Sequence, residues 1–494
     1  MADQEPTTEP ELARQLADFA AATSFETLPD DVVDSVRKRV LDVIGLCVAA
    51  HRLPTSAAVL EYVQDQGGRP QAHAIGGGAA LPAPLAALAN GVLAHSLDYD
   101  DTHLPSVLHP SASVVPAALA AGERAGASGP DTIRAIAVGL EVCVRLGMAG
   151  YDARAGNSTF FEHGQHATSI CGALGGAVAA GLQLGLDGDG LLDALGVSAS
   201  MASGLIEANR TGGTVKRLHC GWAAHSAVTA AELVSRGFTG PPTVLEGRFG
   251  FFQAFLRGEY EPKEITNGLG SDWAVPGIFF KPYPANHFTH AAVDAAIALR
   301  EQGLAADRVV SLTLGVPAPV IRTIGQPIEL KRAPDTGYQA QFSGPYAVVA
   351  GLLGGGGLGV GLGDYTDELA RDPYRRELMA KVDVVADAWA TEIFPMQFPA
   401  VLTARDVDGR EWRHEVPVNR GGPGRPVSDA ELELKFRDNT QGRLSEDAAA
   451  ETARHVRGLA DLADVGDLLR PLADFQDRSE DRLQDRDTKE ETHG

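Results

Sequence analysis

The segment from residue 95 to residue 111 concentrates side chains that exchange protons. It reads HSLDYDDTHLPSVLHPS, and it holds three histidines, three aspartates, a threonine and a tyrosine. The apolar run PLAALANGVLA leads directly into it. Because His and Asp side chains are costly to bury without partners, a polar cluster at the end of a buried helix favours a chemical role.

The other histidines of the chain are grouped as well. Nine of the fourteen lie between residues 95 and 290. The four groups are His95/His103/His109, His163/His166, His219/His225 and His287/His290. Lys216 stands beside the third group and Lys281 beside the fourth. Since His and Lys are residues of proton transfer and of carboxylate binding, the pattern predicts an enzyme acting on an anionic substrate.

Composition limits the partners of such an enzyme. The formal net charge of −23 argues against nucleic acid and against an anionic membrane, although a local basic pocket still suits a small anion. The N-terminal residues lack the basic and apolar parts of a signal peptide, so we expect a cytoplasmic protein. The four cysteines form no CxxC pair, which favours buried, reduced thiols. An uncharged stretch at 163–186 is rich in Ala and Gly, which favours a buried helix over a membrane span.

The spacing of apolar residues predicts a mainly α protein with a large helical domain and a smaller α+β domain. Residues 1–268 show one helical pattern after another, with Ala and Gly contents that imply close helix packing. Residues 269–425 mix helices with short strands, and Asp-Gly between two alternating runs marks a hairpin. Helical patterns return at 426–476 and are expected to rejoin the first domain, which makes the α+β domain an inserted lid. The acidic tail at 477–494 is expected to be disordered.

Two motifs provide little evidence for a cofactor or metal site. Gly354, Gly356 and Gly359 satisfy GxGxxG, but the preceding residues predict a helix, and a dinucleotide fingerprint needs a strand there. The carboxylates and the imidazole at 98–103 are suitable metal ligands, yet their spacing matches no familiar metal motif. We therefore expect neither a metal nor an organic cofactor.

Several longer stretches resemble the MmgE/PrpD family, which includes 2-methylcitrate dehydratase, cis-aconitate decarboxylase and related epimerases. The matching stretches are ANGVLAHSLDYDDTH with LHPSASVVPA, HATSICGALGGAVAA, TVKRLHCGWAAHSA, EGRFGFFQAF, FKPYPANHFTHAAVDAA and TGYQAQFSGPYAVVAGLL. The resemblance runs from about residue 10 to about residue 470. It implies a helical domain with an α+β lid, a homodimer, and an active site between the domains that uses no metal or organic cofactor.

The resemblance also implies which residues form the site. His109 and His166 correspond to family histidines, and Lys216 and Lys281 to family lysines. Asp98 belongs to the family's HSxDxDDT motif. From these we predict catalytic roles for His109, His166, Asp98 and Lys216.

Four further residues are predicted to bind substrate: Thr102, Lys281, Arg217 and His287. Asp98 and Thr102 are four residues apart, so they share a face if the helix continues through them. His287 is included because decarboxylase-like members have a histidine where this chain has Asn286. Whether His287 replaces it stays open. A lid tyrosine of those members also has no clear match near residues 320–324.

Because the chain differs from decarboxylase-like members at these two positions, we place dehydration first among the reactions of the family. His109 or His166 would remove the proton α to a carboxylate, and the other would protonate the departing hydroxyl. Lys216, Lys281 and Arg217 would neutralise a citrate-like substrate, with Asp98 orienting one imidazole and Thr102 binding substrate. Asp100, Asp101 and His103 are expected to be capping or structural residues. The alternatives are decarboxylation of the cis-aconitate type, epimerisation of an amino- or imino-dicarboxylate, a carboxylate-binding protein without activity, and a metal-dependent hydro-lyase.

Overall fold

The computed structural model describes residues 11–208 and 212–475. The chain divides into two compact units. Of the described residues, the first unit comprises 11–96, 100–208, 212–278 and 440–475, and the second comprises Leu97–Tyr99 and Phe279–Asn439. The tail predicted to be disordered, at 477–494, lies outside the described residues.

The first unit is helical, as the apolar spacing predicted. Helices are numbered along the whole chain. Those of the first unit are α1 Leu12–Ala22, α2 Asp30–Ala50, α3 Pro54–Gln66, α4 Ala83–His95, α5 Ser111–Ala125, α6 Gly129–Ala149, α7 Thr159–Glu162, α8 Ala167–Gln183, α9 Gly188–Met201, α10 Val215–Val234, α11 Phe251–Leu256, α12 Lys263–Thr266, α22 Glu446–Arg457 and α23 Gly466–Leu469. A two-stranded ladder, β1 Tyr151–Asp152 with β2 Asn157–Ser158, interrupts them.

Glycine allows the central helices of this unit to touch backbone to backbone. A Cβ on Gly175 of α8 would lie 2.4 Å from the carbonyl oxygen of Gly139 on α6, and a Cβ on Gly139 would lie 2.7 Å from that of Gly175. Gly91 of α4 and Gly221 of α10 approach each other in the same way. The close packing expected from the Ala and Gly content is therefore present. This packing keeps α4, α8 and α10 close together, and these helices carry most of the candidate site.

The second unit is built on a mixed sheet of four strands. The strands are β3 Val309–Val316, β4 Val382–Ala386, β5 Ala400–Asp406 and β6 Glu411–Val416, in the order β4-β3-β5-β6. β4 runs parallel to β3, whereas β5 and β6 run antiparallel around the predicted turn at Asp408–Gly409.

Helices accompany this sheet, which confirms a smaller α+β unit. They are α13 His290–Glu301, α14 Ile321–Ile324, α15 Ile328–Arg332, α16 Gly337–Ala340, α17 Gly344–Leu353, α18 Asp367–Arg371, α19 Pro373–Ala380, α20 Ala388–Ile393 and α21 Asp429–Thr440. Side chains of α13 and α17 share one buried core with β3 and β5. The GxGxxG sequence follows α17 as a loop, so it lacks the strand that a dinucleotide site requires.

The boundaries of the units differ from those predicted at 268/269 and 425/426. The first unit extends to Ile278 because the buried guanidinium of Arg39 donates to the carbonyl oxygens of Val275 and Ile278. The second extends through α21, whose buried Lys435 donates to the carbonyl oxygen of Tyr99. Buried cations need acceptors, and the periodicity of apolar residues does not report where those acceptors are.

A helix that spans a membrane must be both long and apolar. Taken one at a time, none of the helices at 11–208 and 212–475 is both long and apolar enough. α2 and α3 meet the criteria only as a pair, which is bent by 98°.

Candidate active site

The polar segment that follows α4 is not helical. α4 ends at His95, and the next helix, α5, begins at Ser111. Asp98 adopts a left-handed backbone conformation with φ of 52°. Asp98 and Thr102 therefore do not share a helical face, because the helix does not continue through them.

His109 lies at the end of a tight loop and is partly exposed. Its side chain is 12% exposed. Its Nδ1 lies 2.6 Å from the carbonyl oxygen of Asp101, and Thr102 Oγ1 is 3.4 Å from the same nitrogen. Since a carbonyl oxygen only accepts, Nδ1 carries a proton, and Nε2 is the atom left to gain or lose one. Val107, two residues earlier, has φ of 55°, a strained conformation for a β-branched residue.

His95 and Asp100 form a buried imidazole–carboxylate pair. His95 Nδ1 lies 2.6 Å from Asp100 Oδ2, and the same oxygen is 3.8 Å from His109 Nδ1. The ring centroids of His95 and His109 are 5.4 Å apart. We had expected Asp98 to orient an imidazole and Asp100 to be structural. The structure assigns the orienting contact to Asp100.

His166 and His219 form a second pair, in which Nδ1 of one ring lies 2.9 Å from Nδ1 of the other. One nitrogen must donate and the other accept, so the pair shares one proton at this contact. Burial, followed by the charges of His95 and Lys216, lowers the pKa of His219 to about 4 and that of His166 well below its usual value. Both rings are therefore neutral at pH 7. The ring of His166 is 5.6 Å from that of His95.

We call His95, His109, His166 and His219 the histidine cluster. Three helices begin at this cluster: α5 begins two residues after His109, His166 directly precedes the first residue of α8, and His219 lies in the second turn of α10. Lys216, in the first turn of α10, is half-buried. The N-terminal end of a helix carries partial positive charge and unpaired N–H groups. The cluster therefore combines groups that exchange protons with a field that favours anions.

Two neighbouring polar groups have structural partners. Asp101 accepts from Arg39 at 2.6 Å and is also bonded by the Ser111 hydroxyl. His103 Nδ1 lies 2.6 Å from Ser106 Oγ, and burial lowers the pKa of His103 to about 4. Both side chains stabilise the loop that presents His109, in agreement with the structural role predicted for them.

Arg217 follows Lys216 on α10 but has a different environment. Its guanidinium donates to Thr55 Oγ1 of α3 at 2.9 Å. It lines a cavity of about 580 Å³ together with Tyr62 and Trp222, and no histidine of the cluster lines that cavity. The structure thus does not bring Arg217 to the histidine cluster, because consecutive helical residues point about 100° apart.

The second unit contains a lysine cluster, which we define as Lys281 and Lys435 with Asp98 and Tyr99. Lys281 Nζ donates to the carbonyl oxygen of Asp98 at 2.8 Å and lies 3.3 Å from its Oδ1. Lys435 Nζ is 3.9 Å from the centre of the Tyr99 ring. Both lysines are almost completely buried.

The predicted binding residue His287 is buried in the second unit. Its ring contacts those of Phe279, Phe398 and His290, with the His290 centroid at 4.7 Å. Asn286, which stands where decarboxylase-like members have histidine, accepts from the backbone N–H of Phe288 and caps the following turn. Asn286 thus has a local structural role.

Sequence reasoning missed His95 and His219 as site residues. Both stand in the histidine groups noted above, but nothing in their spacing along the chain predicts that four rings from three groups would meet. The contact is made by the packing of α4, α8 and α10. Among the residues that the structure describes, no group of three or more His, Cys, Asp or Glu side chains is arranged to hold a metal ion.

The sequence matches two domain models of one protein family. The model of the MmgE/PrpD N-terminal domain matches residues 14–263, and that of the C-terminal domain matches residues 283–461. Human cis-aconitate decarboxylase is 32% identical over 392 residues, or 78% of each chain. The cis-aconitate decarboxylase of Aspergillus terreus is 31% identical over 57% of this chain and 58% of that one.

A mitochondrial 2-methylcitrate dehydratase of Yarrowia lipolytica is 27% identical over 34% of this chain and 31% of that one. The two domain models together span most of the sequence. The resemblance noted from the motifs is therefore confirmed, and the chain belongs to the MmgE/PrpD family.

Proposed function

We propose that this protein is a lyase that decarboxylates a tricarboxylate of the cis-aconitate type. The observation that carries the proposal is the histidine cluster: four imidazoles meet where three helices begin, and the charge of Lys216 acts on two of them. The similar proteins support decarboxylation over the dehydration that we placed first, because human cis-aconitate decarboxylase aligns over 78% of both chains, whereas the 2-methylcitrate dehydratase aligns over 34% of this chain.

Decarboxylation places specific demands on such a site. The bond between carbon and the departing carboxylate breaks, CO₂ leaves, and the electron pair stays on the substrate. That charge spreads over the adjacent unsaturated carboxylate, where nearby cations and N–H groups stabilise it. A proton then adds to carbon. The reaction thus consumes one proton, and a protonated imidazole is a suitable donor at neutral pH.

His109 has the geometry of this proton donor. Its Nδ1–H is committed to the carbonyl oxygen of Asp101, so the exchangeable proton is on Nε2. The Asp100 carboxylate, 3.8 Å from Nδ1, favours the protonated ring. The partial exposure of the side chain allows a substrate to reach it.

The remaining groups suit a polyanionic substrate. The neutral His166–His219 pair shares the proton between the two Nδ1 atoms, which leaves one Nε2–H as a donor and one bare Nε2 as an acceptor. Lys216 supplies a full positive charge, and the helix N-termini add partial ones. Lys281 binding to substrate, Thr102 binding to substrate and the homodimer remain predictions.

Dehydration is the second candidate. Asn286 occupies the position of a decarboxylase histidine and serves as a turn cap. In dehydration His109 would act as a base instead of an acid. Nε2 of the neutral ring would remove a proton from the substrate, and a second imidazole would protonate the departing hydroxyl.

One experiment separates the two reactions. The full chain is incubated in D₂O with cis-aconitate and, separately, with 2-methylcitrate, and carbon and proton NMR spectra are followed. We expect cis-aconitate to release CO₂ and yield a five-carbon unsaturated dicarboxylate with one deuterium on carbon. Water loss from 2-methylcitrate without CO₂ release from cis-aconitate would assign dehydration instead. Inversion at a stereocentre of 2-methylcitrate, without loss of water or CO₂, would assign epimerisation.

A further inference from the structure

The cavity that Arg217 lines lies within the first unit, between α3 and α10 with α4 beneath them. Its volume is about 580 Å³. Leu88 and Val92 of α4 form the floor, since both line the cavity and are less than 5% exposed. Cavities of roughly 300–1,000 Å³ are the usual size for small organic ligands. The proposed reaction does not use this cavity, which is therefore a candidate for a second binding site.

The sides of the cavity are apolar and partly aromatic. Tyr62 of α3 and Leu218 and Trp222 of α10 leave 53%, 42% and 42% of their surfaces exposed. The indole of Trp222 is held by stacking on the ring of His225, with 5.2 Å between centroids and 6° between planes. Large apolar side chains grouped on a surface mark a place that binds something, because covering them removes apolar area from water. The cavity therefore favours a ligand with an apolar body.

Arg217 adds one positive charge to this apolar lining. Its guanidinium donates to Thr55 Oγ1 at 2.9 Å, which uses one of its five N–H donors. Within residues 11–208 and 212–475, no carboxylate forms an ion pair with it. A guanidinium binds a carboxylate through two parallel hydrogen bonds, because its donors match the two carboxylate oxygens. The cavity thus combines an apolar floor with a cation suited to a single carboxylate.

We propose that this cavity is a second ligand site, which binds an amphipathic monocarboxylate. The carboxylate pairs with Arg217, and an aromatic or branched aliphatic body lies on Leu88 and Val92 against the indole of Trp222. A tricarboxylate does not suit the site, because its second and third charges would lie against apolar side chains without partners. The inference does not depend on which reaction the histidine cluster performs.

The test compares a carboxylate with a neutral molecule of the same shape. The full chain is titrated with 4-phenylbutyrate and, separately, with 4-phenylbutan-1-ol, and binding is measured by isothermal titration calorimetry. We expect the carboxylate to bind at least about tenfold more tightly, because hydrogen bonds between charged groups are roughly twice as strong as neutral ones. Arg217→Met keeps an apolar stem and removes the charge, so it should bind both probes with similar, weak affinity.

A matched control lies just beyond the end of α10. Arg236 is 56% exposed, is paired with Glu232 and does not line the cavity, so Arg236→Met should bind 4-phenylbutyrate as the parent does. The indole of Trp222 locates the bound probe. Binding should change the tryptophan fluorescence of the parent, and Trp222→Phe should lose that change while it still binds the probe.

Several results would overturn this second site. They are no binding of 4-phenylbutyrate at millimolar concentrations, equal affinity of the parent for acid and alcohol, and unchanged affinity in Arg217→Met. The comparison of the two probes needs only the parent protein, so it decides the matter even if a variant does not fold. If the probe does not bind and Trp222→Ala abolishes self-association in sedimentation velocity, the surface is an interface between two copies of the chain. Absence of CO₂ release from cis-aconitate is a different outcome, since it contradicts the proposed function and not this site.

Discussion

The histidine cluster of the first unit and the lysine cluster of the second handle charge in different ways. In the first, nitrogen faces nitrogen: His166 and His219 share one proton, and Asp100 lies beside two rings. In the second, the ammonium of Lys281 is bonded to a carbonyl and a carboxylate oxygen of Asp98. An imidazole can accept a proton at one ring nitrogen and donate one from the other, whereas an ammonium group only donates. The first cluster is therefore suited to moving protons, and the second to maintaining a fixed buried charge.

The largest expected effect is on the histidine cluster. His109→Asn keeps a donor for the carbonyl oxygen of Asp101 and removes Nε2. We expect kcat for CO₂ release from cis-aconitate to fall roughly 10²–10⁴-fold, because a positioned acid or base contributes that much. KM should change little. Steady-state kinetics measures both quantities, and a folded variant with parental kcat would contradict the assignment.

Lys281→Met should act mainly on stability. It removes the ammonium and leaves the buried Asp98 carboxylate without its ion-pair partner, at a cost of about 3–5 kcal/mol in the free energy of unfolding. The double variant Asp98→Asn/Lys281→Met removes both charges and should recover much of that loss, since Asn tolerates the left-handed backbone of Asp98.

Thermal unfolding compares the single and double variants. If the single variant is as stable as the parent, the inference that the lysine cluster maintains a fixed buried charge is wrong. A raised KM in a stable double variant would support the predicted contact of Lys281 with substrate.

Acid should destabilise both units through their neutral buried histidines, of which His103 in the first unit and His290 in the second are examples. Burial lowers the pKa of His103 to about 4 and that of His290 to about 3, from an ordinary value of 6.5. Between pH 6.5 and pH 4 the unfolded chain therefore binds protons that the folded chain does not, and stability falls as the pH falls. The slope is at most about 1.4 kcal/mol per pH unit for each group.

His103→Asn tests this dependence. The variant lacks one titrating ring, so its unfolding temperature should fall less than that of the parent between pH 7.5 and pH 5.5. Equal falls would show that His103 does not contribute.

The smallest effect is expected at Arg217. Its guanidinium is bonded to Thr55, and its cavity is not lined by the histidines of the cluster. Arg217→Met should change KM by no more than about twofold, the usual effect of a substitution outside a site. Lys216→Met, the matched change one residue earlier, should raise KM by about tenfold or more, since it removes a charge worth about 1.4 kcal/mol or more to a bound carboxylate. Equal effects of the two substitutions would remove the distinction between these cations.

The sequence by itself determined the family, the helical character of the first unit and the strands of the second. Apolar periodicity depends on which face of an element is buried, so it is readable from neighbouring residues, as in α2 and α13. The Asp-Gly turn between β5 and β6 was readable for the same local reason. Motifs that resemble those of the family also singled out His109 and His166, which the structure places in the histidine cluster, while their catalytic roles and that of Lys216 stay predictions.

Only the tertiary structure decided how the polar groups pair. Asp98, Asp100 and Asp101 stand within four residues of one another, yet their partners are Lys281, His95 and Arg39. The backbone leaves the helix after His95, so periodicity no longer predicts where each carboxylate points. The partners come from distant segments, because burying each charge requires an opposite charge or a donor wherever the packed helices bring one. The same packing joined His95 to His109 and separated Arg217 from its neighbour Lys216.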